Sequence, residues 1–193
     1  MSIILPTTYF PPINYFICLL KSDNCYMEIY EYYIRHTTRN RTKILGGNGT
    51  FLLTVPIKKK SKTHIQDVKI IDSKWNREHI MSIRSAYGST PFFIHYFDHI
   101  EKILNKKYDF LIDLNDEILN FFCSELSIST SIIKTNSYIK KYPDNYLDAR
   151  HKMPLNKLEK KYTQIFSKKF IPNLSIIDLI FNLGPEAKTY INN

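Results

Sequence analysis

The first twenty residues, Met1 to Leu20, carry no charged side chain, yet proline interrupts them at positions 6, 11 and 12. An uncharged run of this length is exported, embedded in a membrane, or buried in the protein's own core. A hydrocarbon span needs about twenty helical apolar residues without such breaks. Thr7, Thr8 and Asn14 add polar groups, and no basic stretch precedes the run as it would in an export signal. The segment is therefore expected to be core. Ser2 to Leu5 reads as a buried strand, Pro12 suits the first turn of a helix carrying Tyr15, Phe16, Leu19 and Leu20, and Cys25 to Tyr30 reads as a second strand. Strand, proline-bounded loop, helix and strand is how a parallel β-α-β unit begins. Ligands of such units gather at the C-terminal ends of the strands, here Thr7 to Pro12 and the residues from Glu28 onward.

Further along, Lys43 to Leu45 and Phe51 to Ile57 flank Gly46-Gly47-Asn48-Gly49, residues that tolerate the positive φ of a tight turn, so a β-hairpin is expected. Lys58, Lys59, Lys60 and Lys62 read as a solvated loop, since no aromatics are interleaved to stack bases, and Ile65 to Ile71 as a further strand. From Lys74 the period changes: Trp75, His79, Ile83 and Tyr87 recur every four residues, as in a helix. Thr90-Pro91 reads as an N-cap before a second helix with Phe92, Phe93, Phe97, Ile100 and Leu104, and Tyr108 to Leu126 forms a third. Ser131 to Lys134 reads as a last strand. Tyr142 to Lys161 is polar and interrupted by Pro143 and Pro154, and is expected to be an irregular loop or lid. A last helix from about Leu174 stops at Gly184. The expected fold is one α/β domain spanning 1–193. Its N-terminal strand–helix–strand unit and β-hairpin form a mixed sheet, and its central and C-terminal parts are helical.

With 27 Lys and Arg against 18 Asp and Glu, the 193-residue chain has a formal charge of +9, which suits an anionic partner. Lysine supplies most of the excess, in a chain skewed toward Ile, Lys, Asn and Tyr. Arginine is more informative: there are six, and Arg35, Arg39 and Arg41 fall within seven residues, beside His36, Asn40 and Lys43. Guanidinium groups offer paired donors that match phosphate or carboxylate oxygens. The alternative is pairing with Glu28 or Glu31. Cys18, Cys25 and Cys123 are too few and scattered for a disulfide framework, which suits a reducing cytoplasm.

On the last helix Ser175, Asp178 and Asn182 share one face of an otherwise apolar segment, so Asp178 must meet a cation or backbone donors. His79 shares a face with Trp75 and reads either as a packed core residue or as a base. His95 and His99 lack the glutamate of H-E-x-x-H, and no metal site is expected. G-x-S-x-G, Walker-type and Rossmann fingerprints are absent, as is any recognised nucleic-acid motif.

Five ordered blocks carry a resemblance. They are Tyr9-Phe10-Pro11-Pro12-Ile13-x-Tyr15-Phe16, then Glu31 with Arg39-Asn40-Arg41, then Leu53-Thr54-Val55-Pro56. Trp75, His79, Ile83 and Tyr87 lead into Pro91-Phe92-Phe93-x-x-Tyr96, and the last block is Phe170-Ile171-Pro172-Asn173-Leu174-Ser175-Ile176-Ile177-Asp178 continuing to Asn182-x-Gly184. Together they resemble the WbqC-like proteins, in particular the short form of that family. Longer members look like His-Gln-Pro-Asn where this chain has Leu5-Pro6-Thr7-Thr8, and like glycine where it has Asn14. The role of that histidine does not transfer.

The resemblance implies an association with O-antigen and other surface-polysaccharide (lipopolysaccharide) biosynthesis, with acyl or aminoacyl decoration of sugars. The leading expectation is a cytoplasmic transferase acting on an activated sugar or other phosphorylated precursor. An activated acyl or aminoacyl donor, or a nucleotide sugar, would be a substrate. Arg35, Arg39 and Arg41 would hold the anion, Asn40, Asn173 and Asn182 would orient the acceptor, and Asp178 or His79 would move a proton. Tyr9, Pro11, Tyr15, Trp75 and Tyr87 would shape the pocket. A second reading is a non-enzymatic binding or assembly protein with a basic, aromatic-rich face. A third is nucleotide binding like that of nucleotidylyltransferases, whose H-x-G-H element is missing here.

Overall fold

The structure, a computed structural model, describes residues 1–58, 62–153, 161–167 and 169–192. The opening run folds as expected into β1 (Ser2–Pro6), α1 (Ile13–Leu20) and β2 (Asn24–Glu28). β1 and β2 pair in parallel, Ile3 beside Cys25 and Leu5 beside Met27, and these alternate side chains are all buried. β3 (Arg41–Gly46) and β4 (Gly49–Thr54) form the hairpin around Gly47-Asn48.

The expected strand over Ile65 to Ile71 is instead a 3₁₀ turn, Ile65–Asp67, followed by the two-residue β6 (Lys69–Ile70), which pairs with β5 (Ile57–Lys58). Ile65 and Val68 are both fully buried, and a spacing of three suits the 3₁₀ turn rather than an alternating strand. Lys59 and Lys60 of the lysine run lie outside the described residues.

Three helices follow: α2 (Trp75–Tyr87), α3 (Phe93–Asn105) and α4 (Leu111–Glu125). Thr90 does not cap α3. Its hydroxyl donates to the Tyr87 carbonyl at 2.6 Å and so closes the end of α2, and α3 starts two residues beyond Pro91. β7 (Ile132–Lys134) and β8 (Tyr146–Asp148) complete a four-stranded sheet of order β7-β2-β1-β8, parallel throughout. The hairpin is a two-stranded antiparallel sheet of its own, so one α/β domain holds both kinds of pairing.

β8 corrects the expectation of an irregular segment at 142–161, whose residues 154–160 lie outside the described residues. α5 (Ile176–Leu183) ends at Gly184, where φ is 55° and ψ −128°, and a further helix, α6 (Glu186–Asn192), packs against α1. Among the described residues no helix is long and apolar enough to cross a membrane.

The stretch before α5 closes over the β1–α1 loop. The Leu174 carbonyl accepts from the Ile13 amide at 3.0 Å, Asn173 Oδ1 accepts from the Asn14 amide at 3.0 Å, and the Pro11 carbonyl accepts from the Ile176 amide at 2.9 Å. Phe10, at φ 41°, is held by the Thr42 and Ser175 hydroxyls, which both donate to its carbonyl at 2.8 and 3.2 Å.

Candidate functional site

The chain runs from β1 through α1 to β2 on one side of β1, and β8 later pairs on the other side. The C-terminal ends of β1 and β8 therefore meet where the strand order reverses, the usual place for a ligand in a parallel sheet. A cleft of about 410 Å³ opens there. Pro6 and Pro12 contribute one wall, His36 to Arg39 from the loop after β2 a second, and Ala149 to His151, just past β8, a third. Ile34, Met153 and Asn173 complete it, and among the described residues no acidic side chain belongs to these walls. His36 (φ 60°) and Asn173 (φ 54°) have left-handed backbone, which costs about 1–3 kcal/mol per residue and persists where surrounding structure enforces it.

Beneath the cleft lies a buried ionic network. Arg39 Nε and Nη2 donate to the two Glu31 carboxylate oxygens at 2.7 and 2.6 Å, and Nη2 also donates to the Arg150 carbonyl at 3.1 Å. Both side chains are almost fully buried. Burial raises the Glu31 carboxyl above its ordinary value, and Arg39 acts against that rise. Arg150 donates to Asp148 at 2.9 and 2.6 Å and to Glu28 at 3.1 Å, and its guanidinium lies 5.0 Å from the ring centres of Tyr138 and Tyr142. Hydrogen bonds from Arg150 hold Asp148 below the usual carboxylate range. Asn115 of α4 donates to the Arg39 carbonyl and to Thr7, tying the end of β1 to this network.

The rest of the arginine cluster is only partly committed. Arg35 is exposed, Arg41 is half-buried with an unpartnered Nε, and all three arginines act on the Tyr33 hydroxyl, lowering a pKa that burial raises. Asn40 is structural: it donates to the Val55 carbonyl and accepts from Tyr33, both at 2.8 Å. Asn173 caps α1, and Asn182 donates to the Asp178 carbonyl at 2.7 Å. Because Leu174, Asn173 and Pro12 take the first three amides of α1, that helix start has no donor left for a phosphate, against the nucleotidylyltransferase-like reading.

The two expected proton carriers stand elsewhere. His79 and Asp178 are not in the cleft walls, and each is buried to within 5% of full exclusion from solvent. His79 Nδ1 pairs with the Tyr9 hydroxyl at 2.8 Å, under Trp75, whose ring centre lies 5.2 Å away, and burial lowers its pKa to about 4. Asp178 Oδ2 accepts from Tyr162 at 2.5 Å and from Gln164 at 3.1 Å, and burial raises its pKa against those bonds. Tyr9, Tyr15 and Tyr87 are core residues, and Pro11 is buried. The sequence reading passed over Arg150, Asp148 and His151. The available signal was an isolated arginine two residues after an aspartate, inside a segment taken for a loop.

A model of the WbqC-like protein family matches residues 7–153 and 136–190. The chain belongs to the WbqC-like protein family. The WbqC-like match takes in every wall of the cleft except Pro6. The chain is also similar to "Uncharacterized protein Rv1507c" of Mycobacterium tuberculosis, 24% identical over 222 residues that cover 97% of this chain and 96% of that protein. No solved structure matches it.

Proposed function

We propose that this WbqC-like chain binds a small anionic molecule, a phosphorylated sugar or a related carboxylate, in the cleft at the ends of β1 and β8. The observation that carries this reading is the cleft's place at the strand-order reversal, with two left-handed residues in its walls and no carboxylate among the described wall residues. Following the family resemblance, the reaction is transfer of an acyl or aminoacyl group to an activated sugar in surface-polysaccharide synthesis, in the cytoplasm. The acceptor's hydroxyl or amine forms the new bond to the acyl carbon and loses its proton, and the donor's carrier leaves with the electron pair.

A thermal-shift panel of sugar phosphates, nucleotide sugars and activated acyl donors tests it. A true ligand at a hundred times its Kd stabilises the fold by about 2.7 kcal/mol. Thr38→Trp, which fills the cleft from an exposed wall position, should abolish the shift. No shift with any member, or an equal shift in the filled variant, defeats the proposal. The seclusion of His79 and Asp178 favours a second reading, a binding or assembly protein without turnover. That reading expects ligand binding with no product from any donor and acceptor pair.

A further inference from the structure

We infer that His36 and His151 are the side chains that meet the anionic group of a ligand in this cleft. The inference rests on the cleft being a small-molecule site and adds which residues make the contact. Arginine is the obvious anion partner, yet the cleft's arginines are largely spent. Arg150 is fully buried and divided between Asp148 and Glu28, and Arg39 has given Nε and Nη2 to Glu31. With both guanidiniums committed to three carboxylates, Glu28, Glu31 and Asp148, the imidazoles are the remaining ionisable side chains among the described wall residues.

Topology brings the two together. β2 and β8 flank β1, so the chain leaving β2 delivers His36 and the chain leaving β8 delivers His151 to the end of the same central strand. Both side chains are exposed, and neither makes a hydrogen bond among the described residues. His36 sits on left-handed backbone in a turn that the Thr37 hydroxyl ties to the Ile34 carbonyl at 2.9 Å, and its side chain is left in solvent at the cleft. Two imidazole N–H donors in the same walls as the Thr38 hydroxyl suit a single phosphate or carboxylate group.

The test is NMR on the uniformly ¹⁵N-labelled full chain at one pH, reading both the backbone amides and the histidine imidazoles. Inorganic phosphate and pyrophosphate are titrated against chloride at equal ionic strength. His36→Asn, which tolerates positive φ, and His151→Gln assign the signals. Saturable shifts of the His36 and His151 imidazoles, with buried His79 unmoved, are expected. Each variant should weaken pyrophosphate binding about tenfold, the loss of one charge-assisted hydrogen bond, and should keep the wild-type urea midpoint. Shifts of the Thr38 and Ala149 amides without the imidazoles would leave the cleft reading standing and overturn this inference. Movement of neither set overturns both. Equal shifts of the exposed His95 and His99 on α3 would mean unspecific ion binding and also overturn it.

Discussion

Arg39 and Arg35 are four residues apart, and their fates diverge because one side chain turns inward to Glu31 and the other stays in water. Removing one partner of a buried pair leaves the other charge uncompensated, at a cost of about 3–5 kcal/mol. Arg39→Ala should therefore lower the urea midpoint sharply, whereas Arg35→Ala should change stability by no more than about 0.5 kcal/mol. Equal, small losses would show that the Glu31 pair is not a keystone. His79 gives a pH signature. Its folded pKa of about 4 lies below the unfolded value near 6.5, so the unfolded chain binds the extra proton first and stability falls as pH drops from 6.5 toward 4. The loss amounts to about 3 kcal/mol, and it should shrink in His79→Gln when midpoints are compared across that window. The arginine cluster could be read from the sequence as a cluster. Which member pairs with Glu31 could not, because side-chain direction on a loop is set by tertiary contacts.

Elements with a strong local pattern were the legible ones. β1 follows from its continuous apolar run, the hairpin from its glycine-rich turn, and the stripes of α1 to α4 from a 3.6 period that burial of one face imposes. β8 escaped because three residues at a sheet edge, Tyr146 to Asp148, are too few to alternate detectably. α6 escaped because its buried stripe is only Ala187 and Ile191. The junction of α5 and α6 is the most constrained point. A Cβ on Gly184 would stand 2.4 Å from the Phe92 ring, on backbone at φ 55° and ψ −128°. Gly184→Ala should cost about 2 kcal/mol or more, and the companion change Phe92→Ala should not restore the wild-type melting temperature, since it relieves the clash and leaves the backbone strained. Arg150→Met should act on β8, with hydrogen exchange at Tyr146 to Asp148 accelerating while Ile3 to Leu5 stay protected. Uniform acceleration of both would show that Arg150 supports the whole sheet.

At the scale of the molecule, the three cysteines, scattered in sequence, converge around Tyr15, which feels all three thiols. Burial pushes Cys25 and Cys123 up to about 11, so almost no thiolate is present near neutrality. Iodoacetamide should label Cys25 only as fast as the native fold opens globally, a rate that added urea raises. Labelling at the speed of a small free thiol would contradict the packing. The cleft draws on a longer stretch of the chain, from Pro6 to Asn173, with β1 pairing to β8 and the start of α1 capped by Asn173 and Leu174. A ribosome releases the N-terminal end first, so β1 and α1 emerge long before the segments that complete them. Until about residue 176 is free, the nascent chain offers an open strand edge and two bare amides, those of Ile13 and Asn14, and its cleft is unfinished. Any molecule that needs all of the cleft's walls can thus meet them only in a finished chain, so the cleft itself is a mark of completed synthesis as well as of folding.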